Sequence, residues 1–163
     1  MARRELKWWE RLEETVARTK PGGWLAINVA NPIDSRLLRW TGGRVGLFLG
    51  QPVGLLETVG ARSGSRRSTP LLYMEQDGRI VLIASKAGAK RHPAWFHNLS
   101  AHPEVGFTGR DGRHGRYRAR EAEGTERDNL WARANDLYAG YEDYQQRAGG
   151  RRIPVVVLEP DAA

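Results

Sequence analysis

The sequence predicts an α+β domain built on an antiparallel sheet or barrel with interspersed helices. Three observations carry that class. Five or six short strand-like segments recur between Val53 and Leu158. Asp77-Gly78 and Asp111-Gly112 separate two pairs of them, and Asp-Gly marks a hairpin because both turn positions favour positive φ. The chain has 163 residues, enough for one domain that buries roughly 70% of its unfolded surface.

Taken in order, residues 4–18 read as a helix, with Leu6, Trp9, Leu12 or Glu13, and Val16 at helical spacing. Pro21-Gly22-Gly23 stops it. A short helix is expected over 34–40, with Asp34 as N-cap after Pro32 and Gly42-Gly43 behind it. The texture then changes to strands. Val53 to Val59 is a short apolar run, and Pro70 to Gln76 and Arg79 to Ser85 flank the first Asp-Gly turn. A helix from Pro93 to Ala101 follows, its proline in the first turn, where a missing N–H costs nothing. Glu104 to Thr108 and His114 to Ala122 form the second hairpin. Thr125-Glu126-Arg127-Asp128 resembles a capping box and opens a helix through about Tyr138. Ile153 to Leu158 is a β-branched strand whose Pro154 places its start at a sheet edge. The organisation expected is an N-terminal helical segment over 1–50 and a sheet domain over 51–163.

Composition narrows the chemistry. The sequence contains no cysteine, which excludes disulfides, thiolate metal sites and cysteine catalysis. It has no run of about 18 apolar residues, so no helical segment is expected to cross a bilayer. Its first residues lack the apolar core of a secretory signal, so the expected location is the cytoplasm. The formal net charge of +7 suits nucleic acid, an anionic membrane face or a polyanionic small molecule, and does not choose among them. Trp8, Trp9 and the cations of residues 1–20 suit either a helix packed on the domain or one lying at the inner face of the plasma membrane.

The candidate site lies between Gly60 and Leu99. From Gly60 to Thr69, glycines allow backbone N–H groups to approach an anion, Arg62, Arg66 and Arg67 grip phosphate or carboxylate, and Ser63, Ser65, Ser68 and Thr69 add hydroxyls. Ser85-Lys86, with Gly88 beyond, offers a second anion contact. Trp95 and Asn98 are neighbours on one helix face, one able to stack on a ring and the other to bond its edge, or else a core tryptophan and a capping asparagine. Tyr138, Tyr141 and Tyr144 would share an arc of about 120° if helical, and so line one wall. They serve equally as half-buried packing. His92, His97 and His102 are five apart, a poor spacing for one metal, and no metal site is expected. There is no nucleophile elbow either. Any chemistry is therefore expected from a bound cofactor.

In this order, the segments resemble the deazaflavin-dependent nitroreductase family, also described as quinone reductases dependent on coenzyme F420. The resemblance covers about residues 53–160. It rests on Leu55-Leu56 through Gly60, Arg62-Ser63-Gly64, Arg67 to Leu72, Ala84-Ser85-Lys86, Pro93 with Trp95, and Asn98-Leu99. Tyr138-x-x-Tyr141-x-x-Tyr144-Gln145 and Ile153 to Pro160 complete it. The resemblance implies a split β-barrel related to those binding flavin mononucleotide. It implies hydride transfer from reduced F420 to a nitroaromatic, a quinone or a similar unsaturated acceptor. Carried over by position, it implies cofactor contacts at Arg62, Ser63, Arg67, Ser68, Thr69, Pro70 and Leu71. Further contacts fall at Ala84, Ser85, Lys86, Trp95, Phe96, His97, Asn98 and Tyr141. Tyr138, Tyr141, Tyr144 and Ser85 are the candidate catalytic residues. Two departures stand out: Ala61-Arg62 replaces the family's common basic pair, and Ala87 stands where a second glycine is usual, so that turn needs negative φ or strain. The alternatives are a split barrel that uses flavin mononucleotide or stores a cofactor, and, more weakly, a basic nucleic-acid-binding module.

Overall fold

A computed structural model describes residues 52–161. The helices expected over 4–18 and 34–40, and with them the segment 1–50, lie outside those residues. Six antiparallel strands close into a barrel in the order β1-β2-β3-β6-β5-β4. They are β1 (Val53–Val59), β2 (Arg66–Gln76), β3 (Arg79–Ile83), β4 (Glu104–Thr108), β5 (His114–Glu121) and β6 (Val155–Pro160). Three helices are added: α1 (Ala94–Ala101), α2 (Gly124–Leu137) and α3 (Gly140–Arg147). A short 3-10 turn spans Lys86–Gly88.

Side-chain alternation explains the layers. Leu56, Tyr73, Leu82, Phe107, Val156 and Leu158, with partners from all six strands, fill the barrel interior. The intervening residues of β3 and β6, Val81, Ile83, Val155 and Val157, point outward and meet Leu130 and Ala134 of α2 and the tyrosines around α3. Both central strands are thus apolar on both faces, which is why they read as continuous Ile/Val/Leu runs. Trp95 and Leu99 of α1 join the interior cluster, so this helix closes one end of the barrel.

The two Asp-Gly signals meet different turns. Asp77 and Gly78 have φ of 53° and 75°, the mirror-image turn whose twist matches the flanking strands. Around Asp111-Gly112 only Gly112 is left-handed, at 79°, and the connection is a five-residue loop closed by Gly109 N–H donating to Arg113 C=O at 3.0 Å.

Several features differ from expectation, among them β6, which runs Val155–Pro160 and not from Ile153 to Leu158. Strand β2 begins at Arg66, because its polar first residues pair with β1 as far as Val59 opposite Arg66. Strand β3 ends at Ile83, and Ser85 lies in the turn beyond it. Pro154 marks no sheet edge: β6 pairs with β3 on one side and β5 on the other, and the Pro154 carbonyl accepts from Ala84 N–H. Thr125 does not cap α2. The N-cap position belongs to Glu123, which makes no side-chain cap bond, and Asp128 instead meets Arg127 and Arg152.

The start of α2 is fixed to the barrel by charge. Arg120 donates to both carboxylate oxygens of Glu126 at 2.7 and 2.9 Å and to Glu159 at 2.9 Å. Arg79 donates to Glu126 at 3.1 Å. The Arg120 hydrogen bonds and charge hold the Glu126 carboxyl below its usual range. The fork geometry joins β3, β5, β6 and α2 in one network.

Phe107 is 1% exposed and contacts Tyr73 edge-on with ring centroids 5.0 Å apart. Phe107→Ala is expected to lower stability by about 3–5 kcal/mol. Urea unfolding should show a lower midpoint with an unchanged slope; an unchanged midpoint would remove Phe107 from the core.

Candidate functional site

The barrel is closed but not evenly paired. Residues Tyr73 to Gln76 of β2 pair with β3, whereas Arg66 to Leu72 pair, among the described residues, with β1 alone. Strand β3 leaves β2 after Leu82 and stays with β6, Ile83 opposite Val155 and Ala84 N–H on the Pro154 carbonyl. Tyr73 N–H donates to Pro52 C=O, on the β1 side. By alternation, Leu72, Pro70 and Ser68 direct their backbone groups to the opposite, open side. A wedge therefore opens between the first half of β2 and the chain from Ala84 onward. Pro70 sits on this open edge, where no ladder N–H is required.

The loop 60–65 stands at the head of the wedge. It is drawn closed by Gly60 N–H to Ser65 C=O and Gly64 N–H to Gly60 C=O, both at 2.8 Å. Gly64 is left-handed, at 66°. Arg62, Ser63 and Arg67 are exposed, and among the described residues no carboxylate pairs with Arg62, Arg66 or Arg67. Ser68, Thr69, Pro70 and Leu71 are half-buried along the strand. The expected loop from Gly60 to Thr69 is thus a short loop followed by a strand.

The opposite wall is the turn after β3. Lys86, Ala87 and Gly88 have φ of 48°, 51° and 77°, so the strained alternative foreseen at Ala87 is the one adopted. Two successive non-glycine residues in this region cost about 1–3 kcal/mol each and persist only where their surroundings over-determine them. The surroundings are specific. A Cβ on Gly88 would lie 2.7 Å from the Tyr144 carbonyl, so the turn is pressed onto α3. The Arg151 guanidinium binds the carbonyls of Ala84, Ser85 and Ala89. Ala84 is fully buried, Ser85 half-buried and Lys86 exposed.

Helix α1 supports the wedge from behind. Trp95 is 5% exposed within the interior core, so most of its ring packs as a core side chain. Asn98 has both amide ends in use: its Oδ1 accepts from Ala61 N–H at 3.0 Å, and its Nδ2 donates to Thr58 Oγ1 at 3.1 Å. It anchors the 60–65 loop with one bond at each end of its amide. Phe96 is half-buried and His97 exposed.

The three tyrosines do not share one helix. Tyr138 is extended at the end of α2, and α3 begins at Gly140. Gly140 permits the break, since a Cβ there would lie 2.4 Å from the Tyr138 ring. All three rings are buried and packed on one another, and the Tyr138 and Tyr144 hydroxyls are 3.0 Å apart. In place of the wall that one continuous helix would give, the rings form a buried aromatic cluster next to the 86–88 turn, nearer the packing alternative, with Ala87 packed against it. Burial, with Tyr144 adding a smaller effect, holds the Tyr141 phenol well above its ordinary value, so it stays protonated.

Two residues essential to this arrangement receive no role from the sequence: Arg151 lies outside every motif, and Gln145 enters only as the end of the tyrosine pattern. Gln145 is one turn of α3 beyond Tyr141, and its amide donates to Arg151 C=O at 2.8 Å and accepts from Ile153 N–H at 2.9 Å. The one available signal was an arginine immediately before a strand, which is common on any surface.

His92 lies 3.1 Å from Arg151 through Nδ1, which must be the unprotonated acceptor. Burial first, then Arg151 and His97, hold its pKa below the ordinary 6.5. The unfolded chain therefore takes up a proton on His92 as pH falls through 6.5 while the folded chain resists, so this contribution to stability is complete above 6.5 and is lost towards acid. His92→Gln keeps an acceptor without a titrating group. The loss of urea stability between about pH 7.5 and pH 5.5 should be smaller in His92→Gln than in the wild type; equal losses would show that His92 does not couple to folding.

The profile of the family described as F420H(2)-dependent quinone reductase matches residues 33–160. An F420H(2)-dependent quinone reductase of Mycobacterium tuberculosis is 37% identical over 131 residues, covering 77% of this chain and 87% of the relative. A solved F420-H2-dependent reductase is 38% identical with a TM-score of 0.60, over 66% of this chain and 94% of its own. Another solved structure, described as a domain-swapped dimer, is 33% identical with a TM-score of 0.62, over 78% of this chain and 96% of its own.

Proposed function

The chain belongs to the F420H(2)-dependent quinone reductase family, oxidoreductases that use reduced coenzyme F420, and from that premise we propose how its residues divide the work. The observation that carries the proposal is the wedge between the open edge of β2 and the 84–88 turn, with exposed arginines at its head that meet no carboxylate among the described residues. A phosphorylated cofactor needs exposed guanidiniums for its anionic part and an edge able to bond a flat ring.

In this reading Arg62, Ser63 and Arg67 hold the anionic part. Ser68, Thr69, Pro70 and Leu71 form one wall for the ring, and Ala84, Ser85 and Lys86 the other. Phe96 and His97 border the opening, while Trp95 and Asn98 act from behind. When bound, the reduced deazaflavin supplies a hydride to the acceptor. The acceptor is a quinone, a nitroaromatic or a similar unsaturated molecule, placed where the turn meets the tyrosine cluster. No protein nucleophile takes part. The chain contributes alignment, which is worth several kcal/mol when donor and acceptor are held in register. Ser85 and the protonated Tyr141 orient the acceptor oxygen as charge develops on it, and Tyr138 and Tyr144, bonded to each other, keep Tyr141 in place.

The test is parallel titration of the full chain with F420, flavin mononucleotide and duplex DNA. F420 should bind, and Arg67→Ala should weaken it about tenfold or more, the scale of one charge-assisted hydrogen bond. Tight flavin mononucleotide binding without F420 binding would overturn the reading. With a quinone and a nitroimidazole as acceptors, Tyr141→Phe should retain F420 affinity and lose turnover; wild-type turnover would confine the tyrosines to scaffold.

Residues 1–20 complete the proposal as a helix resting on an anionic membrane surface, near a lipid-soluble quinone. Deleting them should abolish co-sedimentation with anionic vesicles. Full-length protein that ignores such vesicles would make the segment a packing element.

A further inference from the structure

The 84–92 segment is held by one side chain that no part of the reading above uses for contact. Arg151 Nε donates to the Ala89 carbonyl at 2.9 Å, Nη1 to Ala84 at 3.2 Å, and Nη2 to Ser85 at 2.8 Å. Nη1 also lies 3.1 Å from His92 Nδ1. The planar fork spans the base of the left-handed stretch Lys86-Ala87-Gly88 and ties its two ends together. Within the stretch only two backbone bonds close the turn, Gly88 N–H to Ser85 and Ala89 N–H to Lys86, both at 3.1 Å. The backbone of Arg151 is itself fixed, because Gln145 clamps its carbonyl and the N–H of Ile153.

We propose that Arg151 is the positioning residue of the cofactor site: its guanidinium sets the distance and direction at which Ser85 and Lys86 face the open edge of β2. The proposal rests on the assignment of that wedge to F420. Arginine suits the task because a rigid, planar set of donors satisfies several carbonyls at fixed angles, which an ammonium on a flexible stem cannot do. Without it, Lys86 and Ala87 relax from positive φ, and the wall opposite Arg67 moves.

The experiment uses the full chain as wild type, Arg151→Met, Arg151→Lys and Arg151→Ala. Without cofactor, Arg151→Met should speed amide exchange at Gly88 and Ala89 about tenfold or more, leaving Leu82 and Val156 protected as in the wild type. Its dissociation constant for F420, read by deazaflavin fluorescence, should rise about tenfold or more, with Arg151→Lys intermediate. Millimolar guanidinium ion should restore part of the affinity of Arg151→Ala. Faster exchange with unchanged F420 affinity would show a purely structural role, and unchanged exchange would show that the turn holds itself; either overturns the proposal. Wild type that fails to bind F420 overturns the site assignment and the proposal together. If Arg151→Met loses core protection, Arg151→Lys carries the same comparison.

Discussion

The parting of β3 from β2 after Leu82 is the constraint on which the rest depends. A barrel closes by pairing every edge, yet among the described residues seven residues of β2 keep one edge unpaired while β3 commits to β6. That choice leaves a slot in an otherwise continuous wall and determines which side chains border it. It also requires the chain beyond β3 to turn back sharply, and the left-handed turn follows from that requirement. Helix α1, closing the same end, then has the tasks of filling the core with Trp95 and Leu99 and steadying the 60–65 loop through Asn98.

Support and contact are separated in this architecture. The side chains that fix the slot, Arg151, Asn98 and Gln145, spend their donors and acceptors on backbone groups and on Thr58 or His92. The exposed arginines of β2 and its preceding loop are spent on nothing within the described residues. A third group, the Arg79–Glu126–Arg120–Glu159 network, lies on the outer face and fixes α2, which in turn carries the aromatic cluster that backs the turn. Rigid surroundings for a few uncommitted charges are what orientation-dependent chemistry needs.

Much of this was legible in the sequence, for physical reasons. The Asp77-Gly78 turn, the helix after Pro93 and the apolar run of β1 follow from local rules; β1 and the helix lie within a residue of the expected limits, while the hairpin strands keep their turn and shift at their outer ends, β2 starting four residues earlier and β3 ending two residues sooner. The family resemblance supplied the split barrel. What was not legible depends on partners distant in sequence. Residues Arg66 to Thr69 look like loop because polarity hides their pairing with β1. Pro154 looks like an edge because nothing local shows that both sides of β6 are taken. The tyrosine spacing implies one helix, but the Tyr138 ring folds over Gly140 and breaks it. For Trp95 and Asn98 the spacing allows contact residues or a core tryptophan with a capping asparagine, and nothing local shows their long-range partners, the barrel interior and the Ala61 amide.

The open edge of β2 has a further consequence for the life of the protein before any ligand arrives. An unpaired strand edge is a template on which another chain can add its own strand, the usual route to edge-to-edge aggregation. This edge carries its own protection. Pro70 withholds the N–H that an incoming strand would need at the middle of the edge, and Arg66 and Arg67 repel an identical neighbour. The residues that make the slot receptive to an anion thus also make it hostile to a second copy of itself, so colloidal stability of the empty protein and recognition of its ligand draw on the same few side chains.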